Sequence, residues 1–97
     1  MLDIDEIKSA ATDAAKDFGV AKVVLFGSYA RGDATADSDV DLRIDKGNLR
    51  GLFQLAGFQI FLEEKLNKNV DVLTTESLDE KFLQDIHGDE VVLYERG

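Results

Sequence analysis

The stretch Gly27–Ile44, GSYARGDATADSDVDLRI, decides how this sequence is interpreted. It follows a short β-branched apolar run, Lys22–Phe26 (KVVLF), which is typical of a buried strand. A glycine ends that strand, and a turn of helix is expected to begin at Ser28. The next residues, Gly32–Ser38, are small or turn-forming and predict a loop. A second strand is predicted at Asp39–Asp45, where apolar and polar residues alternate with a period of two.

The rest of the chain continues as alternating helices and strands. Apolar periodicity and flanking glycines predict helices at 4–18 and 48–67 and strands at 69–74 and 91–95, the last at a sheet edge. A capping box formed by Ser77 and Glu80 predicts a further helix that ends at Gly88. This order predicts an α/β (α+β) domain with a single mixed sheet of about four strands flanked by helices.

Length and composition limit the class of protein. With 97 residues the chain has room for one domain, which we expect to span residues 1–97. It contains no cysteine, which excludes a disulfide scaffold, thiolate metal ligands and a cysteine nucleophile. A net charge of −9 argues against nucleic acid as a partner, because phosphate contacts require a basic surface. The acidic N-terminus and the lack of a long apolar run argue against a signal peptide or membrane partner, so we expect a cytoplasmic protein.

The turn that follows the first strand has the properties of a phosphate-binding site. Gly27 lets the backbone approach a ligand closely, and a helix beginning at Ser28 directs unpaired N–H groups outward. The Ser28 hydroxyl adds a donor, and the Arg31 guanidinium adds a charge that can clamp a phosphate. The turn is not a Walker A loop, since no Gly-Lys-[Ser/Thr] follows it.

Three aspartates are candidates for metal ligands. Asp39 and Asp41 are two residues apart on a strand, so their carboxylates leave the same face. Asp71 lies between two valines that should face the core, and it joins the same face if the two strands are neighbours. Clustered carboxylates suit Mg²⁺, and two ions about 3.5–4 Å apart are used in phosphoryl and nucleotidyl transfer. The residues therefore predict metal-dependent attack on a nucleotide phosphate.

These residues carry a family resemblance. Gly27–Ile44 resembles the GS…ARG…SD-x-DL signature of minimal nucleotidyltransferases in the DNA polymerase β-like superfamily. The segment Asn69–Thr74 (NVDVLT) is similar to the strand that holds that family's third carboxylate. The resemblance covers essentially the whole chain and implies the polymerase β-like nucleotidyltransferase fold. It also implies a nucleotidyltransferase that uses two Mg²⁺ ions and transfers NMP, with AMP from ATP expected, to a hydroxyl.

The resemblance further implies a role for each matched residue. Nucleotide contacts would come from Gly27, Ser28, Arg31 and Ser38, the first two holding the triphosphate. Asp39 and Asp41 would bind both metal ions, and Asp71 would bind the catalytic ion and take the proton from the acceptor hydroxyl.

Small members of this family commonly pair with a HEPN-domain protein in toxin–antitoxin modules. The resemblance implies that the chain is the antitoxin and modifies a tyrosine of a partner HEPN toxin. A second hypothesis is a protein-binding antitoxin without catalysis, which neutralises its partner by direct contact.

The predicted helix at 48–67 has two apolar stripes, whereas a surface helix needs only one. The first stripe consists of Leu49, Leu52, Phe53, Ala56 and Ile60, and the second of Leu55, Phe58, Leu62 and Leu66. Either the helix is sandwiched between the sheet and the first helix, or the second stripe, with Phe61 nearby, marks a protein partner or a homo- or hetero-oligomer contact.

Three further residues are considered singly, and only Arg43 has more than one candidate role. Arg43 shares a face with Asp39 and Asp41, so it forms a salt bridge, competes with metal for Asp41, or reaches substrate phosphate. We expect Tyr29 to pack against the turn. His87, near a helix C-terminus, is expected at the surface.

Overall fold

The structure is a computed structural model that describes all 97 residues. Four helices, four strands and one short 3₁₀ turn follow one another as α1 (Ile4–Phe18), β1 (Lys22–Phe26), α2 (Ser28–Arg31), β2 (Val40–Asp45), α3 (Gly51–Leu66), β3 (Val70–Thr74), a 3₁₀ turn (Thr75–Ser77), α4 (Glu80–His87) and β4 (Val91–Glu95). None of the helices is both long enough and apolar enough to cross a membrane.

The strands form one four-stranded sheet in the order β3-β2-β1-β4. The β1 strand pairs antiparallel with β2 and β4, whereas β2 pairs in parallel with β3. The parallel pair requires a crossover, which α3 supplies. The mixed four-stranded sheet predicted from the sequence is confirmed, as is the position of the last strand at an edge.

The two faces of the sheet have different roles. One face packs against α1 and α3 and forms the hydrophobic core, which includes Val23, Leu25, Leu42, Ile44, Phe58 and Leu62. The other face carries Phe26 from β1 and, because side chains alternate along a strand, Asp41 and Arg43 from β2. The short helix α4 packs over part of that second face, where the ring of Phe82 meets the ring of Phe26 edge-on at 5.9 Å. Val24 and Phe26 are buried on this face, whereas Asp41 keeps part of its surface open to solvent.

The predicted capping box at Ser77 and Glu80 is wrong. The residue that caps α4 is Asp79, whose carboxylate accepts a hydrogen bond from the Phe82 N–H at 2.7 Å. Ser77 belongs to the 3₁₀ turn, and its hydroxyl donates to the Thr74 carbonyl. Aspartate is as good an N-cap as serine, and Asp79 directly precedes the first turn of α4, so it is the residue that caps the helix.

The helix predicted at 48–67 is the shorter α3, and its two apolar stripes have different environments. The second stripe faces the core, with Phe58, Leu62 and Leu66 buried. The first stripe faces solvent beyond the buried Leu49, leaving Leu52, Phe53 and Ile60 exposed. The sandwiched interpretation is therefore wrong, because the first stripe is not covered, and a partner contact at the second stripe is wrong too, because that stripe packs in the core.

Candidate active site

The turn after β1 is built around a glycine that no other residue can replace without strain. Gly27 has φ +77°, and a Cβ added there would collide with the Oδ2 atom of Asp41 and lie 3.1 Å from its Cγ. The single helical turn α2 starts at the next residue, and the Arg31 N–H closes it by donating to the Gly27 carbonyl at 3.0 Å. It ends at Gly32, which has φ +83°. The glycine thus brings the turn directly against the first carboxylate of the site.

The parallel pairing of β2 and β3 brings two of the predicted carboxylates together. In the register of this pair, Asp41 lies directly opposite Asp71. Asp39 comes just before β2, two residues ahead of Asp41. Asp41 is partly buried, whereas Asp39 and Asp71 are exposed. The sequence-based expectation that these two strands are neighbours is confirmed, and it places the carboxylates beside the glycine turn.

The environment of Asp41 raises the pKa of its carboxyl from the ordinary 3.8 to about 6. Burial is the largest cause, followed by the negative charge of Asp71, a side-chain hydrogen bond with Asp71 and the charge of Asp39. The positive charge of Arg31 acts in the opposite direction. Asp41 therefore lies among negative charges that the positive charge of Arg31 offsets only in part.

No three acidic or histidine side chains of the chain are arranged to hold one metal ion between them. The donor chemistry nevertheless fits Mg²⁺, because the available ligands are carboxylate oxygens and this ion prefers one or two of them together with substrate phosphates. The raised pKa of Asp41 is consistent with this, since a divalent cation would offset the repulsion from Asp71 and Asp39 that adds to the effect of burial.

A cleft of about 430 Å³ opens beside Asp41. Its walls come from the glycine turn on one side and from α4 and the residues after it on the other: Phe26, Gly27, Ser28, Arg31, Asp41, Phe82, Asp85, Ile86 and Asp89. Three of the predicted nucleotide-binding residues therefore share one cleft with a predicted metal ligand.

Sequence reasoning missed the α4 side of this cleft. Phe82 and Ile86 recur at the i, i+4 spacing of one helix face, which was the available signal, and Asp89 follows just after the helix ends. The sequence predicted this helix but not which face of the sheet it would cover. In the structure α4 lies over the polar face of the sheet, so its inner face becomes a wall of the cleft, and Asp85 adds to its acidic character.

A larger hollow of about 610 Å³ lies near the C-terminal end of β2 and the start of α3. The ion pair between Lys46 and Glu76, at 2.9 Å, joins two residues of its lining. It contains none of the predicted site residues, so we place the active site at the smaller cleft, where the glycine turn and Asp41 meet.

Arg43 is held away from Asp41 by its own partners. Its Nε donates to the Glu90 carboxylate at 2.7 Å and its Nη1 donates to the Thr75 hydroxyl at 2.9 Å. The side chains of Arg43 and Glu90 are only 12% and 10% exposed. A salt bridge is thus the role that the structure assigns to Arg43: its shorter ion pair is with Glu90, which the sequence did not suggest, and a longer one of 3.8 Å is with the neighbouring Asp45.

The other singled-out residues are distributed over the turn and the loop. The Arg31 guanidinium reaches into the cleft region and pairs with Asp33 at 3.2 Å. The Ser38 hydroxyl accepts from the Thr35 N–H at 2.8 Å, which ties the loop together outside the cleft. Tyr29 is buried in the core, as expected for a packing residue, and His87 is exposed.

The fold and this arrangement of residues define a nucleotidyltransferase. The family model for polymerase β nucleotidyltransferases matches residues 7–97, nearly the whole chain. The chain belongs to that family.

Individual relatives narrow the comparison. The chain is 38% identical over 82 residues to the protein adenylyltransferase MntA of Thermococcus cleftensis, covering 80% of this chain and 83% of that protein. It also resembles a chain of a toxin–antitoxin crystal structure with AMP-PNP, with a TM-score of 0.78 and 19% identity over 91% of this chain and 73% of that one. A third likeness is to the structure of the tri-AMPylated Shewanella oneidensis HEPN toxin with its MNT antitoxin, at a TM-score of 0.72 and 16% identity, covering 95% and 72% of the two chains.

Proposed function

We propose that this protein is a protein adenylyltransferase that moves AMP from ATP to a hydroxyl of a partner toxin and so acts as an antitoxin. The observation that carries the proposal is the register of the parallel strand pair, which sets Asp41 opposite Asp71 beside the turn at Gly27. Membership of the polymerase β nucleotidyltransferase family, whose model matches residues 7–97, supports nucleotidyl transfer as the reaction. The 38% identity to an adenylyltransferase that acts on proteins supports the choice of AMP and of a protein acceptor.

The triphosphate would be held in the cleft by the glycine turn. The backbone of Gly27 can approach phosphate oxygens because it has no side chain, and the Ser28 hydroxyl adds a donor. The Arg31 guanidinium, on the same wall, would neutralise part of the phosphate charge.

Asp39 and Asp41 would hold two Mg²⁺ ions, with Asp71 as a further ligand of one of them. When bound, Mg²⁺ would neutralise part of the triphosphate charge and make the acceptor hydroxyl easier to deprotonate. Ionised Asp41 is the form that binds a cation, so we expect metal affinity to increase as the pH rises through about 6, the value to which its pKa is raised.

Asp71 would act as the general base in the transfer. The acceptor oxygen forms a bond to the α-phosphorus while the bond from that phosphorus to the bridging oxygen breaks. Pyrophosphate leaves with the electron pair of the broken bond, and the hydroxyl proton passes to the Asp71 carboxylate. Asp71 is suited to this role because it is exposed at an edge strand, where a large acceptor can reach it.

The acceptor would be a tyrosine of a HEPN-domain toxin in the cytoplasm. The net charge of −9 disfavours DNA or RNA as acceptor and favours a basic protein surface. One of the structures that the chain resembles contains an AMP-modified HEPN toxin, which supports this class of partner.

A transfer assay tests the proposal. Purified protein is incubated with Mg²⁺, α-labelled ATP and the toxin encoded beside it, and the label on the toxin is measured. The Asp39→Ala/Asp41→Ala variant should lose transfer, whereas Asp37→Ala, which removes an exposed loop carboxylate next to the site, should keep it. Label transfer that survives the double variant would contradict the assignment of the carboxylates.

The second hypothesis, neutralisation by direct contact, is favoured by the exposed apolar residues of α3. It predicts that the Asp39→Ala/Asp41→Ala variant still neutralises the toxin fully when the two are present in equal amounts. Toxin that is inactivated only once the antitoxin is at least equimolar would likewise favour this hypothesis, because a catalyst acts on many molecules in turn.

A further inference from the structure

The outward face of α3 is the largest cluster of exposed apolar side chains on the molecule. Leu52 is 82% exposed, Phe53 is 96% exposed and Ile60 is 52% exposed. Ala56 lies between them on the same face. We call these four residues the α3 stripe. Three of the six large apolar residues exposed on the whole chain belong to it, which marks the stripe as an interaction surface.

The rest of the chain does not cover the α3 stripe, because both of its flanks are engaged elsewhere. On one flank, Gln59 donates to the Val70 carbonyl at 2.9 Å and Glu63 accepts from the Val70 N–H at 3.0 Å. On the other flank, Lys65 pairs with Asp13 of α1 at 3.6 Å. The flanking side chains hold α3 in a fixed orientation, with the stripe directed away from both β3 and α1.

We propose that the α3 stripe is a homodimer contact in which two copies of this chain pack their α3 helices antiparallel. The order of the side chains is self-complementary. Ala56 lies four residues from Leu52 and four residues from Ile60, so a two-fold axis near Ala56 sets Leu52 of one copy against Ile60 of the other. The small side chain at the centre lets the two helices approach closely, and Phe53 closes the contact on either side of the axis.

The charges beyond the stripe favour the same arrangement. Arg50 and Glu64 are exposed at opposite ends of it, and neither takes part in an ion pair within the chain. They are 14 positions apart (50 and 64), which is about 21 Å along a helix. An antiparallel pair centred near residue 57 therefore sets Arg50 of one copy against Glu64 of the other. A parallel pair would oppose like charges.

The location of the stripe also favours a second copy as its occupant. The stripe is on the helix that packs against the core face of the sheet, whereas Asp41 and the cleft are on the other face. A dimer formed through α3 leaves both clefts open, so each copy could engage its own substrate. Four side chains per copy make a small contact, well below the 1,200 Å² or so of a stable interface, so the dimer should be weak and reversible.

A cysteine cross-link tests this arrangement directly, because the chain has no cysteine of its own. Ala56→Cys should form an intermolecular disulfide under mild oxidation, since antiparallel helices that cross at a small residue bring the two Cα atoms within bonding range. The product should run at twice the 10.7 kDa of the chain. Val92→Cys, at an apolar residue of β4 that is also exposed, is the matched control and should not cross-link above background.

Sedimentation velocity gives an independent readout in the absence of oxidant. The wild type should shift from monomer to dimer as its concentration rises to about 0.5 mM, a range that detects a dissociation constant as weak as about 0.1 mM. Phe53→Glu should remain monomeric throughout, and Val92→Glu should behave as wild type, with circular dichroism confirming that both are folded. A wild type that stays monomeric, with Ala56→Cys no more cross-linked than Val92→Cys, overturns the proposal. So does a monomeric wild type whose binding to the toxin is lost in Phe53→Glu, because the stripe would then be the toxin's docking surface.

Discussion

Replacing Asp41 with asparagine should stabilise the metal-free protein at neutral pH. Folding raises the pKa of this carboxyl from 3.8 to about 6, so its ionised form is less favourable in the folded chain than in the unfolded chain. Each tenfold change in the ionisation constant corresponds to about 1.4 kcal/mol, so this difference corresponds to about 3 kcal/mol. Because Asp41 is partly open to solvent, which screens its neighbours' charges, we expect about half of that, ~1–2 kcal/mol.

The stability advantage of Asp41→Asn should depend on pH, because it arises from the ionisation of the Asp41 carboxyl. Below pH 3.8 the carboxyl is protonated in both states and has no effect on stability. As the pH rises from 3.8 to about 6 the unfolded chain gives up this proton more readily, so the wild type loses stability over that window and the loss is complete above it. The advantage of Asp41→Asn should therefore be full at about pH 7.5 and small near pH 4.

Urea unfolding in the presence of EDTA at both pH values measures this effect. Asp37→Asn serves as the control, since it removes an exposed loop carboxylate and should change stability by less than about 0.5 kcal/mol. An Asp41→Asn variant that is no more stable than wild type at neutral pH would refute the reasoning. An advantage that persists unchanged at low pH would refute it too, because it would then not arise from ionisation.

Three further perturbations test other parts of the structure. Gly27→Ala places a Cβ against the Asp41 carboxylate at a position whose φ is +77°, so it should lower the free energy of unfolding by about 2 kcal/mol or more. Urea titration measures this loss, and a variant with the wild-type urea midpoint would contradict the close approach. Arg43→Met leaves the mostly buried Glu90 with only the exposed His87, at 3.6 Å, beside it, which should cost about 3 kcal/mol. Adding Glu90→Gln should recover part of this loss, and a double-mutant cycle that shows no coupling would count against the pair. Asp79→Ala should lower the free energy of unfolding by about 1 kcal/mol, measured by thermal unfolding, and Ser77→Ala should lower it by less. A larger loss in Ser77→Ala than in Asp79→Ala would favour Ser77 as the cap, as predicted from the sequence.

The sheet and the position of the carboxylates could be predicted because local signals agreed with the tertiary structure. The strand at β2 alternates so regularly that its core-facing and polar residues could be assigned before the fold was known. The glycine at Gly27 was also informative, because both the turn and the close approach to Asp41 depend on it.

The parts that could not be predicted depend on long-range partners. Arg43 pairs only loosely with the nearby Asp45, at 3.8 Å, and its close partner is Glu90, 47 positions away, because β2 and the segment before β4 meet on the polar face. The α4 wall of the cleft has the same origin, since nothing local says on which side of the sheet a short amphipathic helix will lie. Which of the two apolar stripes of α3 would be buried likewise depends on how the helix packs against the core, and the sequence alone does not distinguish them.

The parallel pairing of β2 with β3 has a consequence for how the chain becomes active. Asp41 and Asp71 are 30 positions apart, and their strands can meet only after the whole crossover through α3 has closed. The antiparallel pairing of β1 with β2 needs a much shorter closure, so the glycine turn and Asp41 can be in place earlier in folding. A slip of one residue between β2 and β3 would turn Asp71 to the opposite face. A chain still in the course of folding would thus lack the general base that we propose at Asp71, and it would acquire the proposed transfer activity only with the completed native structure.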